Sequence, residues 1–423
     1  MNKNKIIKFA EKIIPFNRSL VGKDILKTLK IIQKQNNSLK IIKIPTSKKI
    51  YDWKVPKEWS AKSATIIDKQ KKTIIDFKVN NLHLMSHSIP VNKFIKFKDL
   101  KKRLHYLKQI PNAIPYRTSY YKKDWGFCLS YNQFKKLKDD VYKVNINSKL
   151  KSGYLRYGEI FLKGKSKKEI LFTTNICHPA LANNETSGMV ILTFLANYLK
   201  KKKLNYSYRL IFIPETIGAL GYIKKNFQKL KKNILFGFIC VCVGDNRNYS
   251  ILESKFLDSN ANFFAFETLN KLKIKFKKYS WLDRGSDERQ FSSPNVEIDC
   301  ASLMRSKYGE YREYHTSLDK LNDVVTSKGL KQSLKMYELL TNLIEQEKFP
   351  KSNFFGEPFL SKRKIYPEVG GAILPKKFQD LKNYLSFCDG KTPTKKINLK
   401  CKLNKKQGKN ILRILIKNNL IKL

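Results

Sequence analysis

The pattern of apolar and polar positions changes several times along the chain. Apolar residues at helical spacing, such as Ile25, Leu29 and Ile32, predict helices in the first 37 residues. From Leu39 to about Ser148, short β-type runs separated by polar clusters predict a small β-rich domain. Strand-like and helical stretches then alternate up to residue 348, which is typical of an α/β sheet with largely parallel strands.

The C-terminal part of the chain has a pattern of its own. A looser stretch with Pro, Gly and Lys predicts a linker, and after it the pattern reads helix, turn, helix, turn, helix and a short final strand, as in a winged-helix module. The predicted organisation is N-terminal helices at 1–38, an inserted β-rich domain at 39–149, the α/β domain at 150–348, a linker at 349–375 and a winged-helix-like module at 376–423.

Composition narrows the class of protein. The formal net charge of +52 favours acidic partners, and it would suit nucleic acid. Yet Lys far outnumbers Arg, the preferred residue for bidentate phosphate contacts, and Lys is spread over the whole chain. We therefore do not expect nucleic acid as the main partner. Seven Cys without a CxxC pair, no signal peptide and no long apolar run predict a soluble cytoplasmic protein without a membrane partner.

Candidate chemistry lies at the ends of apolar runs. His178 ends ILFTTNICH and His315 lies in EYHTSLD, while Glu215 follows RLIFIP and Asp245 follows FICVCVG. Open α/β sheets build their sites at strand carboxyl ends, and an acid there is costly unless it is paired or metal-bound. His178, Asp245 and His315 would suit zinc with an open position for water, and Glu215 would serve as general base. A purely structural role for the histidines is the alternative.

Four segments, in chain order, carry a family resemblance: HPALANNETSG, FIPETIGALGY, GSDERQF and YHTSLDKL. They resemble the M28 zinc aminopeptidase superfamily, and most closely its DUF4910 subgroup with an inserted DUF2172 domain. NRSLVG, YDWKVPKEW and IPYRTSYYKKDWGFCLS also resemble that subgroup, so the resemblance covers nearly the whole chain. It implies a three-layer α/β/α zinc-aminopeptidase-like core with an inserted small β-rich domain and a C-terminal winged-helix-like module.

The resemblance also implies roles for single residues. His178 and His315 match metal-binding histidines, and Glu215 matches the catalytic glutamate. Asp245 matches a metal-binding aspartate at the next strand end, and Asp287 in GSDERQF matches an active-site aspartate that could bind a free amino group.

Three positions depart from the family pattern. Ala180 and Asn184 stand where the peptidases have aspartates, and Thr216 stands where they have a metal-binding glutamate. Because three anionic groups are missing, two adjacent dications would be poorly neutralised, so we expect one zinc ion per chain. Asn184 would be a weak oxygen ligand or a substrate contact. Arg284 and Arg289 would bind a substrate carboxylate or phosphate, or else form a solvated salt-bridged loop.

These observations predict a metal-dependent aminopeptidase-like hydrolase that cleaves an amide, either an N-terminal aminoacyl group or a small peptide-like metabolite. The resemblance links the subgroup to surface polysaccharide or secondary-metabolite biosynthesis. The alternative is a catalytically decayed regulator or scaffold that binds DNA or protein through 376–423, where Lys405, Lys406 and Lys409 are available. Homo-oligomer formation stays open.

Overall fold

The computed structural model describes residues 3–365 and 375–423. Helices in these ranges are α1 (Lys3–Ile13), α2 (Lys23–Gln35), α3 (Phe97–Leu100), α4 (Tyr131–Phe134), α5 (Ser187–Lys200), α6 (Ile217–Asn233), α7 (Asn260–Lys271), α8 (Glu288–Phe291), α9 (Ser327–Gln346), α10 (Lys376–Ser386), α11 (Thr394–Lys400) and α12 (Lys405–Lys417). Strands are β1 (Lys40–Pro45), β2 (Lys49–Ile50), β3 (Trp53–Lys54), β4 (Glu58–Ile67), β5 (Thr73–Asp76), β6 (Val91–Lys96), β7 (Leu104–His105), β8 (Phe127–Cys128), β9 (Val141–Lys151), β10 (Tyr154–Leu162), β11 (Glu169–Asn175), β12 (Ser207–Ile213), β13 (Ile234–Ile239), β14 (Ser250–Leu252), β15 (Lys277–Tyr279), β16 (Cys300–Met304), β17 (Lys351–Ser352) and β18 (Ile421–Lys422).

A mixed eight-stranded sheet forms the centre of the α/β domain, in the order β1-β10-β12-β11-β13-β16-β14-β15. The four middle strands, β12, β11, β13 and β16, run parallel to one another. Strands β11 and β12 are buried along their whole length, which explains their continuous apolar sequences. The predicted α/β fold is confirmed.

Helices cover both faces of this sheet. Successive side chains of a strand point to opposite faces of the sheet, so Leu171 and Phe172 of β11 lie on opposite faces. Leu171 belongs to a buried cluster that includes Leu220 and Ile223 of α6. Phe172 packs on the other face against Tyr337 of α9, with ring centroids 6.0 Å apart. The result is the expected arrangement of helix, sheet and helix layers.

The inserted domain is built on a four-stranded antiparallel sheet in the order β5-β4-β9-β6. Its N-terminal boundary differs from the prediction at residue 39. The run LKIIKIP forms β1, which pairs antiparallel with β10 at the edge of the central sheet. The insertion therefore begins after β1. A partly exposed edge strand shows the same alternation of apolar and polar residues whether it belongs to the central sheet or to the inserted sheet. The sequence pattern therefore does not tell which sheet β1 joins.

The two points where the chain enters and leaves the insertion are neighbours. Pro45, at the end of β1, pairs with Tyr154, at the start of β10. Just beyond this pair, the Thr46 amide donates to the Gly153 carbonyl at 3.0 Å, and the Gly153 amide donates to Oγ1 of Thr46 at 3.0 Å.

The chain divides into two compact units. The first runs to Ala265 and continues over Leu269–Glu338, so it holds both the central sheet and the inserted domain. The second comprises Phe266–Thr268 and Leu339–Leu423. None of the described helices is both long and apolar enough to cross a membrane.

The second unit has its own apolar core, in which Leu385 of α10, Ile397 of α11 and Leu415 of α12 are buried together. The predicted helices and the final strand β18 are present, and β18 pairs antiparallel with β17. Strand β17 lies inside the segment 349–375 that was predicted as a linker, and 366–374 of that segment lie outside the described residues. A winged-helix identity stays a prediction.

Candidate functional site

Two neighbouring parallel strands bring the candidate residues together. Strands β11 and β12 end at the same edge of the sheet, and His178 and Glu215 follow them after short connections. Both residues line a cavity of about 630 Å³, and His315 lines it as well. Three of the predicted site residues therefore share one cavity at the strand carboxyl ends, where α/β sheets place their ligands.

Glu185 fixes the orientation of His178. Its carboxylate accepts hydrogen bonds from the His178 amide at 2.7 Å and from Nδ1 of the ring. With Nδ1 engaged, Nε2 is left for the cavity side, 3.9 Å from Oε2 of Glu215. A carboxylate that holds one imidazole nitrogen while the other faces a site is the arrangement that orients metal-binding histidines.

A buried arginine balances the charge of Glu185. Arg18 is fully buried, and its Nε donates to the His178 carbonyl at 3.1 Å. Burial opposes the charge on Glu185, but His178 and Arg18 outweigh it and hold the pKa of Glu185 below its usual value. Burial also disfavours charge on His178, yet Glu185 outweighs this and raises the pKa of the imidazole. The three residues form one buried electrostatic network.

Glu215 is the acid that faces the cavity. Burial raises its pKa, against the opposing charges of His178 and Arg289. The Arg289 guanidinium lies 3.5 Å from Oε1 of Glu215 and donates to Oγ1 of Thr216 at 2.8 Å. A raised pKa brings a carboxylate closer to the range that suits proton transfer near neutral pH.

His315 reaches the site from the segment between β16 and α9. Its Nε2 shares a hydrogen bond of 2.8 Å with Oδ1 of Asn184, and its ring centroid lies 4.9 Å from that of His178. Burial, and then the nearby charge of His178, lowers the pKa of His315 well below its usual value. His315 is therefore neutral near pH 7, which is the form that binds metal.

Backbone strain accompanies these side chains. Ala180, Thr216 and His315 adopt φ values of 50°, 61° and 54°, in the left-handed region that residues with a Cβ seldom occupy. Such strain costs on the order of 1–3 kcal/mol per residue and persists where the surrounding structure enforces it, often at functional sites. Two of the three, Ala180 and Thr216, are positions at which the chain departs from the family pattern.

The inserted domain supplies one wall of the cavity. The Tyr116 and Tyr120 hydroxyls lie 2.6 Å apart, and the Tyr116 ring packs against His178 and His315 with centroid distances of 4.8 and 5.4 Å. The Tyr116 amide also donates to the His315 carbonyl at 2.8 Å. Burial raises the pKa of both tyrosines well above 10, so their hydroxyls stay protonated and available as donors.

Asp245 does not join the two histidines. In the described part of the chain, Cys177, His178 and Glu185 are the set whose ligand atoms lie within 4.8 Å of one another, so the set of His178, Asp245 and His315 is not assembled. The carboxylate of Asp245 instead accepts four hydrogen bonds between 2.9 and 3.0 Å, from the Arg247 and Ser306 amides and the side chains of Asn183 and Ser306. Strand β13 ends at Ile239, so Asp245 follows a coil and not a strand end.

Like Asn184 and Arg289, two further predicted residues lie outside the cavity lining. Asp287 is fully buried, and its Oδ1 accepts a hydrogen bond from the Thr216 amide at 2.8 Å. It therefore stabilises the backbone next to Glu215. Burial raises the pKa of Asp287 well above its usual range. Arg284 is exposed, with its guanidinium 5.1 Å from the Trp281 ring centroid. Neither is placed to contact a ligand in this cavity.

Several important residues escaped the sequence analysis. Glu185 lies in the polar run NNETS, so its sequence neighbours give no sign that its charge is buried and needs a partner. Arg18 lies in the segment NRSLVG and donates a hydrogen bond to the His178 carbonyl, 160 positions away in the sequence. Such a distant contact leaves no local sequence pattern. Tyr116 and Tyr120 approach the site only through tertiary packing, so no local pattern could have placed them there.

The fold and the cavity together define an aminopeptidase-like α/β protein. Residues 7–347 match the family described as Domain of unknown function (DUF4910). The chain belongs to this family, as its sequence segments predicted.

Individual relatives agree with this assignment. The chain is 41% identical over 368 residues, 87% of its own length and 84% of the relative's, to a Clostridium acetobutylicum protein named "Putative polysaccharide biosynthesis protein with aminopeptidase-like domain". A crystal structure from the same organism, named "putative peptidase", matches with a TM-score of 0.81 at 37% identity, over 100% of this chain and 96% of that one. A zinc aminopeptidase from Bacillus subtilis matches with a TM-score of 0.58 at 14% identity, over 81% and 94%. This last similarity shows the fold.

Proposed function

We propose that this protein is a zinc-dependent aminopeptidase-like hydrolase that cleaves an amide bond in the cavity of about 630 Å³. One observation carries the proposal: Glu185 holds Nδ1 of His178, and Nε2 then faces Glu215 at 3.9 Å. This sets an oriented imidazole beside a carboxylate of raised pKa, at the strand ends where the fold builds its sites.

The residues at the cavity fit one zinc ion. His178 and His315 offer imidazole nitrogens, and Asn184 offers an amide oxygen, a donor set of the kind that zinc accepts. The second cluster, Cys177 with His178 and Glu185, fits less well. Burial raises the pKa of the Cys177 thiol well above its usual value, and both carboxylate oxygens of Glu185 already accept hydrogen bonds from His178. With two firm ligands, zinc would bind more weakly than in a site with three.

Each residue then has a distinct part in hydrolysis. Zinc, when bound, would supply Lewis-acid polarisation and an activated water. Glu215 would accept the proton of the attacking water and pass it to the leaving amine, with Arg289 holding its carboxylate. The Tyr116–Tyr120 pair would donate a hydrogen bond to the carbonyl oxygen as negative charge develops there.

The substrate class follows in part from the relatives. One relative's name refers to polysaccharide biosynthesis. We therefore extend the proposal to an amide carried on a carbohydrate precursor, as in an acylated amino sugar. An aminoacyl amide is the second substrate class, since the fold is shared with zinc aminopeptidases.

The test combines metal analysis with turnover. Purified protein would be reconstituted with zinc, its metal content measured by mass spectrometry, and its activity screened on aminoacyl anilides and N-acyl amino sugars. We expect about one zinc per chain. Glu215→Gln should lower turnover at least ~100-fold while zinc content is unchanged, because only basicity is removed.

A matched control is Glu357→Gln, which alters an exposed ion pair with Lys382 in the second unit. It should leave turnover and zinc content unchanged. Turnover by Glu215→Gln at the wild-type rate would refute the role of Glu215. Absence of zinc after reconstitution would refute the metal-dependent mechanism.

A further inference from the structure

A second cavity adjoins the candidate active site. It has a volume of about 1020 Å³ and lies between the β2–β3 hairpin, helix α6 and the segment Ser293–Val296. Trp53 of the hairpin lines both this cavity and the cavity that holds His178 and Glu215. A ligand bound across Trp53 would thus occupy both cavities.

Exposed aromatic rings mark the boundary between the two cavities. Tyr51, Trp53 and Tyr121 are 45%, 40% and 55% exposed, although large aromatic side chains gain most from burial. The Trp53 and Tyr121 ring centroids are 5.8 Å apart at an interplanar angle of 58°. The hairpin presents Tyr51 in the left-handed region, at φ 52°. Flat rings left open to solvent provide faces on which the C–H face of a sugar ring packs.

Lysines line the α6 side of the second cavity. Lys224, Lys225 and Lys229 are exposed, and none of them forms an ion pair with a carboxylate in the described parts of the chain. Helix α6 contains no acidic residue, and Asp52 is the acid of the lining. Lys224 lies 5.6 Å from the Tyr51 ring centroid and donates to the Lys49 carbonyl at 3.2 Å. Positive charge therefore stands directly beside the aromatic faces.

Uncharged polar groups complete the lining. Gln228, Ser293 and Asn295 border the same cavity and suit the many hydroxyls of a saccharide. A peptide would more readily bind by adding a strand to a sheet edge. Here β2 and β3 have two residues each, which is too short for that mode. Aromatic faces, lysines and neutral hydrogen-bonding groups together match a ring-shaped, hydroxyl-rich and anionic ligand.

We propose that the second cavity binds an acidic saccharide, which carries a carboxylate or a phosphate and is the non-reacting part of the substrate. The identification as part of a substrate rests on the proposed hydrolase function. The binding site itself rests on Tyr51, Trp53, Lys224 and Lys229. Remote binding of this kind positions the amide and supplies energy for the chemical step.

Direct binding tests this proposal without any need for turnover. Trigalacturonic acid would be the carboxylate probe and glucose 1-phosphate the phosphate probe, with maltotriose as the neutral match and triglutamate as an acidic peptide. Saturation-transfer NMR on the full chain would report affinity at low and high salt. We expect one or both acidic sugars to bind at least tenfold more tightly than maltotriose and triglutamate, with affinity that falls as salt rises.

Two sets of variants locate the site. Lys224→Glu with Lys229→Glu should weaken binding at least tenfold, whereas Lys69→Glu with Lys149→Glu, at exposed lysines of the inserted domain, should change it less than twofold. Trp53→Ala should abolish the saturation transfer, and Trp53→Phe, which keeps an aromatic face, should retain binding within about threefold. Circular dichroism would verify that each variant is folded.

Other outcomes overturn the proposal. Equal binding of maltotriose would remove the anionic requirement, and tighter binding of triglutamate would point to an acidic peptide. Equal losses in the two double-lysine variants would mean a diffuse positive field. Glu215→Gln should bind the acidic sugar as the wild type does. If the hydrolase proposal fails while the binding and its loss in the variants persist, the site stands as a saccharide-binding site alone.

Discussion

The cavity wall and the core of the second unit stabilise the same chain by different means. Around the cavity, Arg18, Glu185 and His178 are buried as charged or polar partners, and several residues hold left-handed backbone. In the second unit, apolar side chains such as Leu385 and Leu415 fill the core. There the Asn404 side chain accepts from the Gln407 amide and so caps α12. The apolar pattern and the N-terminal cap therefore both favour the helices that form this core.

The difference shows that destabilising features are concentrated around the cavity. Buried charge and strained backbone each cost free energy, so they persist only where other contacts enforce them. Both occur at the ends of β11 and β12, next to the cavity. The second unit also has left-handed residues, Lys364, Lys402 and Asn419, but each lies in a turn directly after a helix, where such backbone is common.

Breaking the buried network should have the largest effect. Glu185→Gln leaves Arg18 without a balancing charge and loosens His178, so we expect a loss of about 3–5 kcal/mol in unfolding free energy. Zinc affinity should also fall about 10- to 100-fold. Urea unfolding and zinc titration would measure the two effects.

The matched control breaks another buried ion pair. Glu58 of the inserted domain accepts a hydrogen bond at 2.6 Å from Arg156 of β10 in the central sheet. Glu58→Gln should reduce stability yet leave zinc affinity unchanged. Wild-type zinc affinity in Glu185→Gln would contradict the role given to Glu185.

An apolar deletion in the second unit should cost stability without touching the site. Leu415 is fully buried, and Leu415→Ala should cost about 2–5 kcal/mol through lost packing and a cavity. Ile416→Ala, at a neighbouring position that is 43% exposed, should cost far less. All four Trp lie in the first unit, so tryptophan fluorescence should follow that unit alone. A shifted fluorescence transition in Leu415→Ala would show that the units unfold together.

A buried histidine should make the site-bearing unit sensitive to acid. His87 is buried, its Nδ1 bonds Oγ of Ser19 at 2.8 Å, and its ring stacks on Trp59. Burial lowers the pKa of His87 from 6.5 to about 4. The unfolded chain therefore binds the extra proton first, and stability is lost as pH falls from 6.5 towards 4, by up to roughly 3 kcal/mol.

His87→Asn removes the titrating group and tolerates the left-handed backbone at φ 67°. Its unfolding free energy should fall less than that of the wild type between pH 7 and pH 4.5. The measurement is urea unfolding followed by Trp fluorescence. Parallel pH profiles for the two proteins would exclude His87 as the cause.

Charge reversal on α12 should have the smallest effect. Lys405, Lys406 and Lys409 are exposed, and we expect only weak, non-specific duplex binding that declines log-linearly with salt. The triple change to Glu should reduce that binding and leave turnover intact. Submicromolar, sequence-selective binding by the wild type at ~150 mM salt would instead favour the regulator function.

Prediction from sequence succeeded where a buried strand produces a long, continuous apolar run. The runs that became β11 and β12 are apolar throughout because both faces are covered. It failed where an apolar run outlasts its strand: FICVCVG continues past the end of β13, so Asp245 does not stand at a strand end. It also missed contacts made only by the folded chain, such as the Tyr116 ring against His178.

The closed attachment of the inserted domain has a consequence for the order of folding. Thr46 and Gly153 are hydrogen-bonded across 107 residues of chain, and bringing such distant points together costs entropy before any contact repays it. The inserted sheet forms largely from strands within that same segment. Once it is formed, the two attachment points are already held close, and β1 can pair with β10 at little further entropic cost. We therefore expect the inserted domain to fold early and the edge of the central sheet to close after it.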